Sequence, residues 1–142
     1  MLVLDTDHLS VLEWEASATT QRLLERLSGI APDEAATTII NFEEQMRGWL
    51  AYLSRARTLT QQVEAYRRLK RHLDNYRTIM VLDFNLRAAT EFQRLRKRHR
   101  TLGTMDLKIA SIVLANDATL LSRNLTDFSK IADLKVEDWT AE

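Results

Sequence analysis

The chain has 142 residues, of which 45% are hydrophobic and 28% charged, and its formal net charge at pH 7 is zero. This length predicts one domain with one core, and the composition is typical of a folded globular protein rather than a disordered one. The absence of cysteine excludes disulfides and thiolate zinc sites. Because the chain has no net charge, any nucleic-acid binding must depend on local basic patches.

The sequence gives no sign of a membrane segment or of a linker. No apolar run approaches the ~20 residues that a membrane span requires, so we expect no membrane partner. The N-terminus reaches Asp5 without a basic region, so we expect no signal peptide and a cytoplasmic protein. One proline and three glycines indicate no domain boundary, and residues 1–142 are expected to form a single domain.

The first predicted element is a buried strand that runs directly into polar residues. Leu2-Val3-Leu4 is short and apolar, which is typical of a strand covered on both faces of a parallel sheet. Asp5 and Thr6 follow it, and Asp7 is placed to cap a helix over residues 8–12. In open α/β sheets ligands bind at the carboxyl ends of strands, which is where Asp5 stands.

The next elements are predicted as a helix over residues 20–27, a β-branched strand over residues 36–40, and a helix capped by Asn41. Thr58 and Gln61 form a capping-box pattern that opens another helix. The two consecutive helices within residues 41–75 are expected to form an arm of the domain.

The second half of the chain continues the alternation of strands and helices. A third strand is predicted over residues 79–82, a helix over 85–99, and a helix buried on most sides over 105–115. A fourth strand follows over residues 119–122, Asn124 caps a short helical turn, and a weak strand lies near 134–136. This alternation predicts an α/β fold, with a parallel sheet covered by helices on both faces.

Four acids follow predicted strands or open predicted helices: Asp5, Glu44, Asp106 and Asp127. Each has a purely structural explanation by itself. Asp5 ends a strand, and Glu44 takes the third position of a helix begun by Asn41. Asp106 complements a helix dipole, and Asp127 has a capping role beside Asn124.

These acids are nevertheless expected to converge, because the carboxyl ends of parallel strands meet at one edge of the sheet. Two like charges ~4 Å apart at an effective dielectric constant near 20 repel by about 4 kcal/mol. Such a cluster requires a cation or raised pKa values. Oxygen ligands without cysteine or paired histidines suit Mg²⁺ or Mn²⁺. These ions activate water and stabilise phosphoryl transition states.

The same segments resemble a known family. In sequence order and spacing, the chain is similar to the PIN-domain ribonucleases, and most closely to the VapC toxins of bacterial toxin–antitoxin pairs. The matching segments span nearly the whole chain: Leu4-Asp5-Thr6-Asp7, Glu44-Gln45-Met46-Arg47-Gly48, Asp106 with Ile109-Ala110, and Leu120-Leu121-Ser122-Arg123-Asn124 before Asp127-Phe128.

This resemblance implies a three-layer α/β/α PIN-like domain around a parallel sheet of about five strands. It also implies a site for Mg²⁺ (or Mn²⁺) built from Asp5, Glu44 and Asp106. Position 124 is Asn rather than the acid expected nearby, so Asp127 becomes the fourth catalytic carboxylate. The supporting residues are Thr6, Ser122, which replaces the more frequent Thr, Asp7, which stands where Asn is common, and Asn124.

The activity implied by the resemblance is that of a metal-dependent endoribonuclease toxin. Such an enzyme hydrolyses a phosphodiester of structured RNA such as tRNA, leaving 5′-phosphate and 3′-hydroxyl ends. It thereby inhibits translation and growth, and a VapB-type antitoxin neutralises it. A homodimer is also implied.

A basic run between residues 94 and 100 is the candidate RNA-binding surface. It leads directly into the turn before Asp106, so it is placed to carry a phosphate backbone to the acids. A solvated helix face is the usual explanation for such a run. We expect these residues to bind RNA without sequence choice: Arg94, Arg96, Lys97, Arg98 and Arg100. The three histidines are scattered along the sequence, and none is assigned to catalysis.

Two alternatives are kept beside the nuclease. Leu4-Asp5-Thr6-Asp7 also fits the nucleophile loop of haloacid-dehalogenase phosphatases, with Asp5 as nucleophile and Asp7 as general acid. No convincing later paired-acid motif or lysine accompanies it. The other alternative is a catalytically silent binding module with the same fold, against which the retention of the expected acids counts.

Overall fold

The computed structural model describes residues 1–14 and 17–142. Five strands alternate with helices along the chain. Their bounds are β1 Leu2–Leu4, α1 Thr6–Trp14, α2 Ala18–Ser28, a 3-10 turn Pro32–Glu34, β2 Ala35–Thr38, α3 Ile39–Ser54, α4 Leu59–Tyr76, β3 Met80–Leu82, α5 Leu86–Arg98, α6 Thr104–Ala115, β4 Thr119–Leu121, α7 Leu125–Phe128 and β5 Lys135–Glu137.

The strands form one parallel sheet in the order β3-β2-β1-β4-β5. The prediction of a three-layer α/β/α domain with about five parallel strands is therefore confirmed. β1 lies at the centre and pairs with β2 on one side and β4 on the other. The strand order reverses at β1, and ligands of open α/β sheets bind at such a point, beyond the carboxyl ends of the strands.

Helices cover both faces of the sheet. Successive residues of a strand point to opposite faces, so each strand contributes side chains to the core on either side. Val3 packs on the face covered by α5 and α6, in a cluster that includes Ile109, Ile112 and Leu120. Leu4 packs on the other face with Leu9 and Leu121. The prediction that α6 is buried on most sides is confirmed, since six of its residues are buried.

α3 and α4 pack against each other as a helical hairpin. The predicted capping box is confirmed, because the Thr58 hydroxyl accepts a hydrogen bond from Gln61 N at 3.1 Å and Gln61 Oε1 accepts one from Thr58 N at 3.2 Å. α4 presents an apolar face to the surface, formed by Leu59, Val63, Tyr66 and Leu73. Within the described residues, no helix combines the length and apolar character needed to cross a membrane.

Two helix caps differ from their predictions. α1 begins at Thr6, so Asp7 lies in its first turn and is not its cap. β2 ends at Thr38, whose hydroxyl accepts hydrogen bonds from Ile40 N and Asn41 N, both at 3.2 Å. Thr38, not Asn41, therefore caps α3. The β-branched Ile39 and Ile40 favour a strand locally, but the cap at Thr38 allows the helix to begin three residues earlier than predicted.

Candidate functional site

Asp5 stands directly after β1 at the carboxyl end of the sheet, and its residue surface is only 8% exposed. Its Oδ1 accepts hydrogen bonds from Thr6 N at 2.9 Å and from Asn41 Nδ2 at 2.8 Å. Its Oδ2 accepts one from Ser122 Oγ at 2.7 Å. Burial, followed by the negative charge of Asp7, raises the pKa of this carboxyl, while the three hydrogen bonds oppose the rise. Asp5 is thus a buried, firmly oriented carboxylate.

Glu44 reaches the same edge from α3. Its Oε1 accepts a hydrogen bond from the Thr6 hydroxyl at 3.2 Å, and that hydroxyl in turn accepts one from Asn41 Nδ2 at 3.0 Å. Since Asn41 also donates to Asp5, the Asn41 amide and the Thr6 hydroxyl connect Asp5 to Glu44. Burial raises the pKa of Glu44, and the charges of Asp5 and Asp106 raise it further. The predicted capping role of Glu44 is wrong, because α3 begins three residues before the position it requires.

Asp106 lies in the first turn of α6, as predicted, and is half-buried. Burial raises the pKa of its carboxyl, and the charges of Asp5 and Asp127 add to the rise. Asp5, Glu44 and Asp106 come from three different elements of the fold. The charge of Asp5 raises the pKa of both Glu44 and Asp106, so the three carboxyls lie near one another, and their shared role at one metal site stays a prediction.

Asp127 stands at the margin of this site. It lies in α7, which Asn124 caps as predicted, with Asn124 Oδ1 accepting from Asp127 N at 3.4 Å. The side chain of Asn124 also donates to Asp127 Oδ2 at 3.3 Å, and Lys130 lies 3.8 Å from Asp127 Oδ1. Asp127 acts electrostatically on Asp106, but its hydrogen-bond partners are the residues of its own helical turn.

The donor set fits a hard divalent cation in its chemistry. Asp5, Glu44 and Asp106 offer carboxylate oxygens, which Mg²⁺ and Mn²⁺ prefer, and their shared charge disfavours all three being ionised without a counter-ion. Across residues 1–14 and 17–142, however, no three acidic, histidine or cysteine side chains approach closely enough to hold a metal ion as they stand. The acids therefore share one electrostatic site without being gathered around a single point.

The remaining predicted supporting residues surround Asp5. Ser122 follows β4, is fully buried, and accepts a hydrogen bond from Asn124 N at 3.0 Å while donating to Asp5. Asp7 Oδ2 accepts from Arg123 N at 2.9 Å. The residues predicted to support the site thus bind each other and Asp5 through a continuous set of hydrogen bonds.

The predicted RNA-binding run occupies the end of α5 and the segment after it. Arg94 forms ion pairs with Glu91 at 2.8 Å and with Asp133 at 3.3 Å, so its charge is already partnered. The Arg96 guanidinium lies 5.5 Å from the centre of the Phe92 ring. Lys97, Arg98 and Arg100 are exposed to solvent. RNA binding by this run stays a prediction.

Asn41 is the site residue that the sequence analysis missed. It is fully buried, and its Oδ1 accepts a hydrogen bond from the Thr38 hydroxyl at 2.7 Å while its amide binds Asp5. Its role as a cap was inferred from the residue type after a predicted strand. The spacing of Asn41 and Glu44, three residues apart on one helix, is the signal that places both on the same side of α3.

Comparison with known proteins decides the family. A family model described as "PIN domain" matches residues 2–134, which is most of the chain. The chain belongs to the PIN-domain family. The phosphatase alternative is not supported: the matching family is a different one, and both oxygens of Asp7 are bonded, to His8 and to the turn at Arg123.

This PIN domain is similar in sequence to Ribonuclease VapC1 from Haemophilus influenzae (strain R2866), with 41% identity over 46 residues. The match covers 32% of this chain and 34% of that protein, so it spans about a third of the relative's length.

Solved structures extend the similarity to the whole chain. VapBC-1 from nontypeable Haemophilus influenzae is 25% identical, with a TM-score of 0.70 and coverage of 99% of this chain and 98% of that one. VapBC2 from Rickettsia felis, bound to a DNA fragment from their promoter, is 22% identical, with a TM-score of 0.74 and coverage of 97% and 98%. The second comparison shows the fold alone.

Proposed function

We propose that this PIN domain is a metal-dependent endoribonuclease, the toxin of a VapBC-type pair. It hydrolyses a phosphodiester of structured RNA, with tRNA as the leading candidate, and thereby inhibits translation and growth. The observation that carries the proposal is the shared site of Asp5, Glu44 and Asp106, in which burial raises the pKa of each carboxyl and the charge of Asp5 raises the pKa of Glu44 and of Asp106 further. The partial match to Ribonuclease VapC1 supports the same activity.

In this proposal Asp5, Glu44 and Asp106 hold Mg²⁺ or Mn²⁺, and Asp127 tunes Asp106 from the margin of the site. PIN-domain nucleases generally use divalent metal ions. When bound, the ion neutralises the acids, activates a water molecule and stabilises the charge on the reacting phosphoryl group. Thr6, Asn41 and Ser122 fix the orientation of Asp5, so that it need not reorganise during the reaction.

The substrate reaches the acids along the basic segment at the end of α5, in which Arg96, Lys97, Arg98 and Arg100 contact phosphates. Arg94 instead stabilises the segment through its ion pairs with Glu91 and Asp133. Phosphate contacts of this type give affinity without sequence choice. Selection of a particular RNA must then come from the shape of the surface around the site.

The proposed protein partners are a VapB-type antitoxin and a second copy of the chain. The structural neighbours VapBC-1 and VapBC2 are VapBC complexes, which supports a VapB-type partner for this chain. The exposed apolar face of α4, with Leu59 79% exposed, supports a protein partner at the helical hairpin. We propose that the hairpin serves these assemblies, while the edge of the sheet serves catalysis.

The proposal is tested by inducing the wild type and Asp5→Asn in parallel and sequencing RNA 5′ ends. We expect the wild type to arrest growth and to create new 5′-phosphate ends at a small number of RNA positions, and Asp5→Asn to do neither. Glu43→Gln is the matched control, because Glu43 is an acid of α3 that pairs with Arg47 and has only the smallest of the charge effects on the pKa of Glu44. Cleavage that survives in Asp5→Asn contradicts the proposal. Absence of cleavage by the wild type with added Mn²⁺ favours a silent binding module.

A further inference from the structure

His8 is a fully buried histidine that lies between the candidate site and the C-terminal segment. Its Nε2 accepts a hydrogen bond from the backbone N–H of Trp139 at 3.1 Å, and its Nδ1 lies 2.7 Å from Asp7 Oδ1. The two bonding partners come from opposite ends of the chain. A buried imidazole with both nitrogens bonded has a fixed ring orientation.

The two partners also determine which ring nitrogen carries the proton. Nε2 receives an N–H donor, so it must present its lone pair, and the proton is therefore on Nδ1 and is donated to Asp7. Asp138 Oδ1 is 3.7 Å from Nε2, beyond hydrogen-bonding distance. That oxygen already accepts hydrogen bonds from Thr140 N at 2.8 Å and Thr140 Oγ1 at 2.6 Å.

Asp7, whose carboxylate is oriented by His8, binds the turn at Ser122 and Arg123 that supports Asp5. One carboxylate oxygen of Asp7 accepts from His8, and the other accepts from Arg123 N at 2.9 Å and lies 3.3 Å from Ser122 Oγ. The position of the Arg123 N–H fixes the turn after β4, in which Ser122 stands. Ser122 then donates to Asp5 Oδ2 at 2.7 Å. Hydrogen bonds therefore lead from Trp139 through His8 and Asp7 to the Arg123 N–H, and the backbone bond between Arg123 and Ser122 connects them to the hydrogen bond on Asp5.

The C-terminal segment that begins this series is firmly held. Thr140 is buried; its carbonyl accepts from Arg22 Nη2 at 3.2 Å, and its hydroxyl accepts from Arg123 Nε at 2.9 Å. The Arg26 guanidinium lies 4.6 Å from the centre of the Trp139 ring. This segment follows the residues matched by the PIN family model, which end at 134. The contact with His8 is therefore made by a part of the chain outside that match.

We propose that His8 is a positioning residue: held by the backbone of Trp139, it orients Asp7, and through Ser122 it fixes the carboxylate of Asp5. The proposal rests on the proposed function in assigning Asp5 to metal binding. The His8 ring bonds to Asp7 and to Trp139 N, and the hydrogen bond of His8 to Asp5 runs from its backbone N–H to the Asp5 carbonyl at 3.1 Å, so His8 is not a catalytic residue. Removing a group that hydrogen-bonds to a metal-binding side chain and orients it typically lowers metal affinity or activity by about 10–100-fold.

Two substitutions separate the two bonds of the ring. In His8→Asn the side-chain amide replaces Nδ1 and keeps a donor to Asp7, whereas in His8→Gln the side chain reaches the Nε2 position and keeps only an acceptor for Trp139 N. Both remove the ring, so a purely structural role predicts similar losses. The proposal predicts that His8→Gln weakens Mn²⁺ binding and lowers kcat by about tenfold. His8→Asn is expected to change each by less than about threefold, and KM is expected to stay within about twofold in both variants.

NMR of the folded, metal-free protein gives a readout that needs neither metal nor RNA. The expected result is the Nδ1–H tautomer of His8, with the Asp5 carboxyl resonance displaced in His8→Gln but retained in His8→Asn. The Nε2–H tautomer, or equal displacement in the two variants, overturns the proposal. If His8→Gln does not fold, the wild-type tautomer decides alone. If the wild type shows the expected NMR result but cleaves no RNA, the proposed function fails and the role of His8 in orienting Asp5 stands.

Discussion

Asn41 Nδ2 donates a hydrogen bond of 2.8 Å to Asp5 Oδ1 and so joins the first turn of α3 to the end of β1. Both residues are buried, and the Asn41 carbonyl is occupied by the Thr38 hydroxyl at 2.7 Å. The amide is therefore held with its donor side toward the carboxylate. A neutral donor at this position stabilises the ionised form of Asp5 without supplying a charge.

Replacing the Asn41 amide by a carboxylate is expected to lower the free energy of unfolding. Asn41→Asp places a second carboxylate against Asp5 Oδ1, and we expect it to lower the free energy of unfolding at pH 8 by about 3 kcal/mol. The loss is expected to be smaller at pH 5, because burial and the adjacent Asp5 carboxylate raise the pKa of the added carboxyl and favour its protonation. Urea denaturation at the two pH values measures it. Asn41→Ala is the control, with a loss of about 1–3 kcal/mol that changes less with pH. The same pH response in both variants counts against this prediction.

The raised pKa values predict how the stability of the metal-free protein depends on pH. A carboxyl whose folded-state pKa lies above its unfolded value binds its proton more tightly when folded. Asp5, Glu44 and Asp106 therefore cost no stability below the ordinary values of 3.8 for Asp and 4.5 for Glu, and progressively lower stability as pH rises above them. His72, whose pKa burial lowers, acts in the opposite direction as its ring is deprotonated. A comparison of variants is therefore needed to isolate the acids.

Asp5→Asn provides that comparison. Its carbonyl can accept the hydrogen bonds from Thr6 and Asn41, and its amide can donate to Ser122, whose hydroxyl then turns toward Asp7. We expect the metal-free variant to be more stable than the wild type at pH 8 by about 1 kcal/mol, or about 3 °C in Tm. At pH 4 the difference is expected to disappear. Calorimetry checks both values, and a less stable variant at pH 8 contradicts the assignment of a raised pKa to Asp5.

The basic segment is tested by its effect on the salt dependence of RNA binding. Neutralising Arg96, Arg98 and Arg100 to Gln, in the Asp5→Asn background, is expected to weaken tRNA binding. The slope of log affinity against log salt should become shallower by about 2, because each lost phosphate contact removes about 0.7–0.9.

The matched control neutralises Arg67, Lys70 and Arg71 of α4, which changes the net charge equally. Arg67 and Lys70 already pair with Glu64 and Asp74. Fluorescence anisotropy at several salt concentrations compares the two triple variants. An unchanged affinity and slope for the α5 variant, or equal changes in both, removes the basic segment from the substrate path.

Local sequence was sufficient to predict most of the fold. Leu2-Val3-Leu4 and Thr119-Leu120-Leu121 are short apolar runs, and both are strands of the parallel sheet. The capping box at Thr58 and the cap at Asn124 depend only on residues three apart, and both were predicted correctly. The sequence predicted that Asp5, Glu44 and Asp106 lie near one another, because parallel strands have their carboxyl ends at the same edge of the sheet.

The remaining features depend on contacts that residue spacing does not encode. α3 begins at Ile39 because the Thr38 hydroxyl caps it, against the strand preference of the two isoleucines. The sequence predicts that Asn41 is a helix cap. Its amide points to Asp5 only because α3 packs beside β1. The bond between His8 and Trp139 joins residues 131 positions apart, and its formation depends on where the chain goes after β5.

Asp5, Glu44 and Asp106 are proposed to form one site for a divalent cation, and a Mn²⁺ titration followed by electron paramagnetic resonance tests this assignment most directly. The informative pair is Glu44→Gln and Glu43→Gln, since these acids are adjacent on α3 and only Glu44 interacts with Asp5 and Asp106. We predict saturable Mn²⁺ binding by the wild type and by Glu43→Gln, and at least about tenfold weaker binding by Glu44→Gln. Equal affinity in the two variants, or no saturable binding by the wild type, contradicts the account.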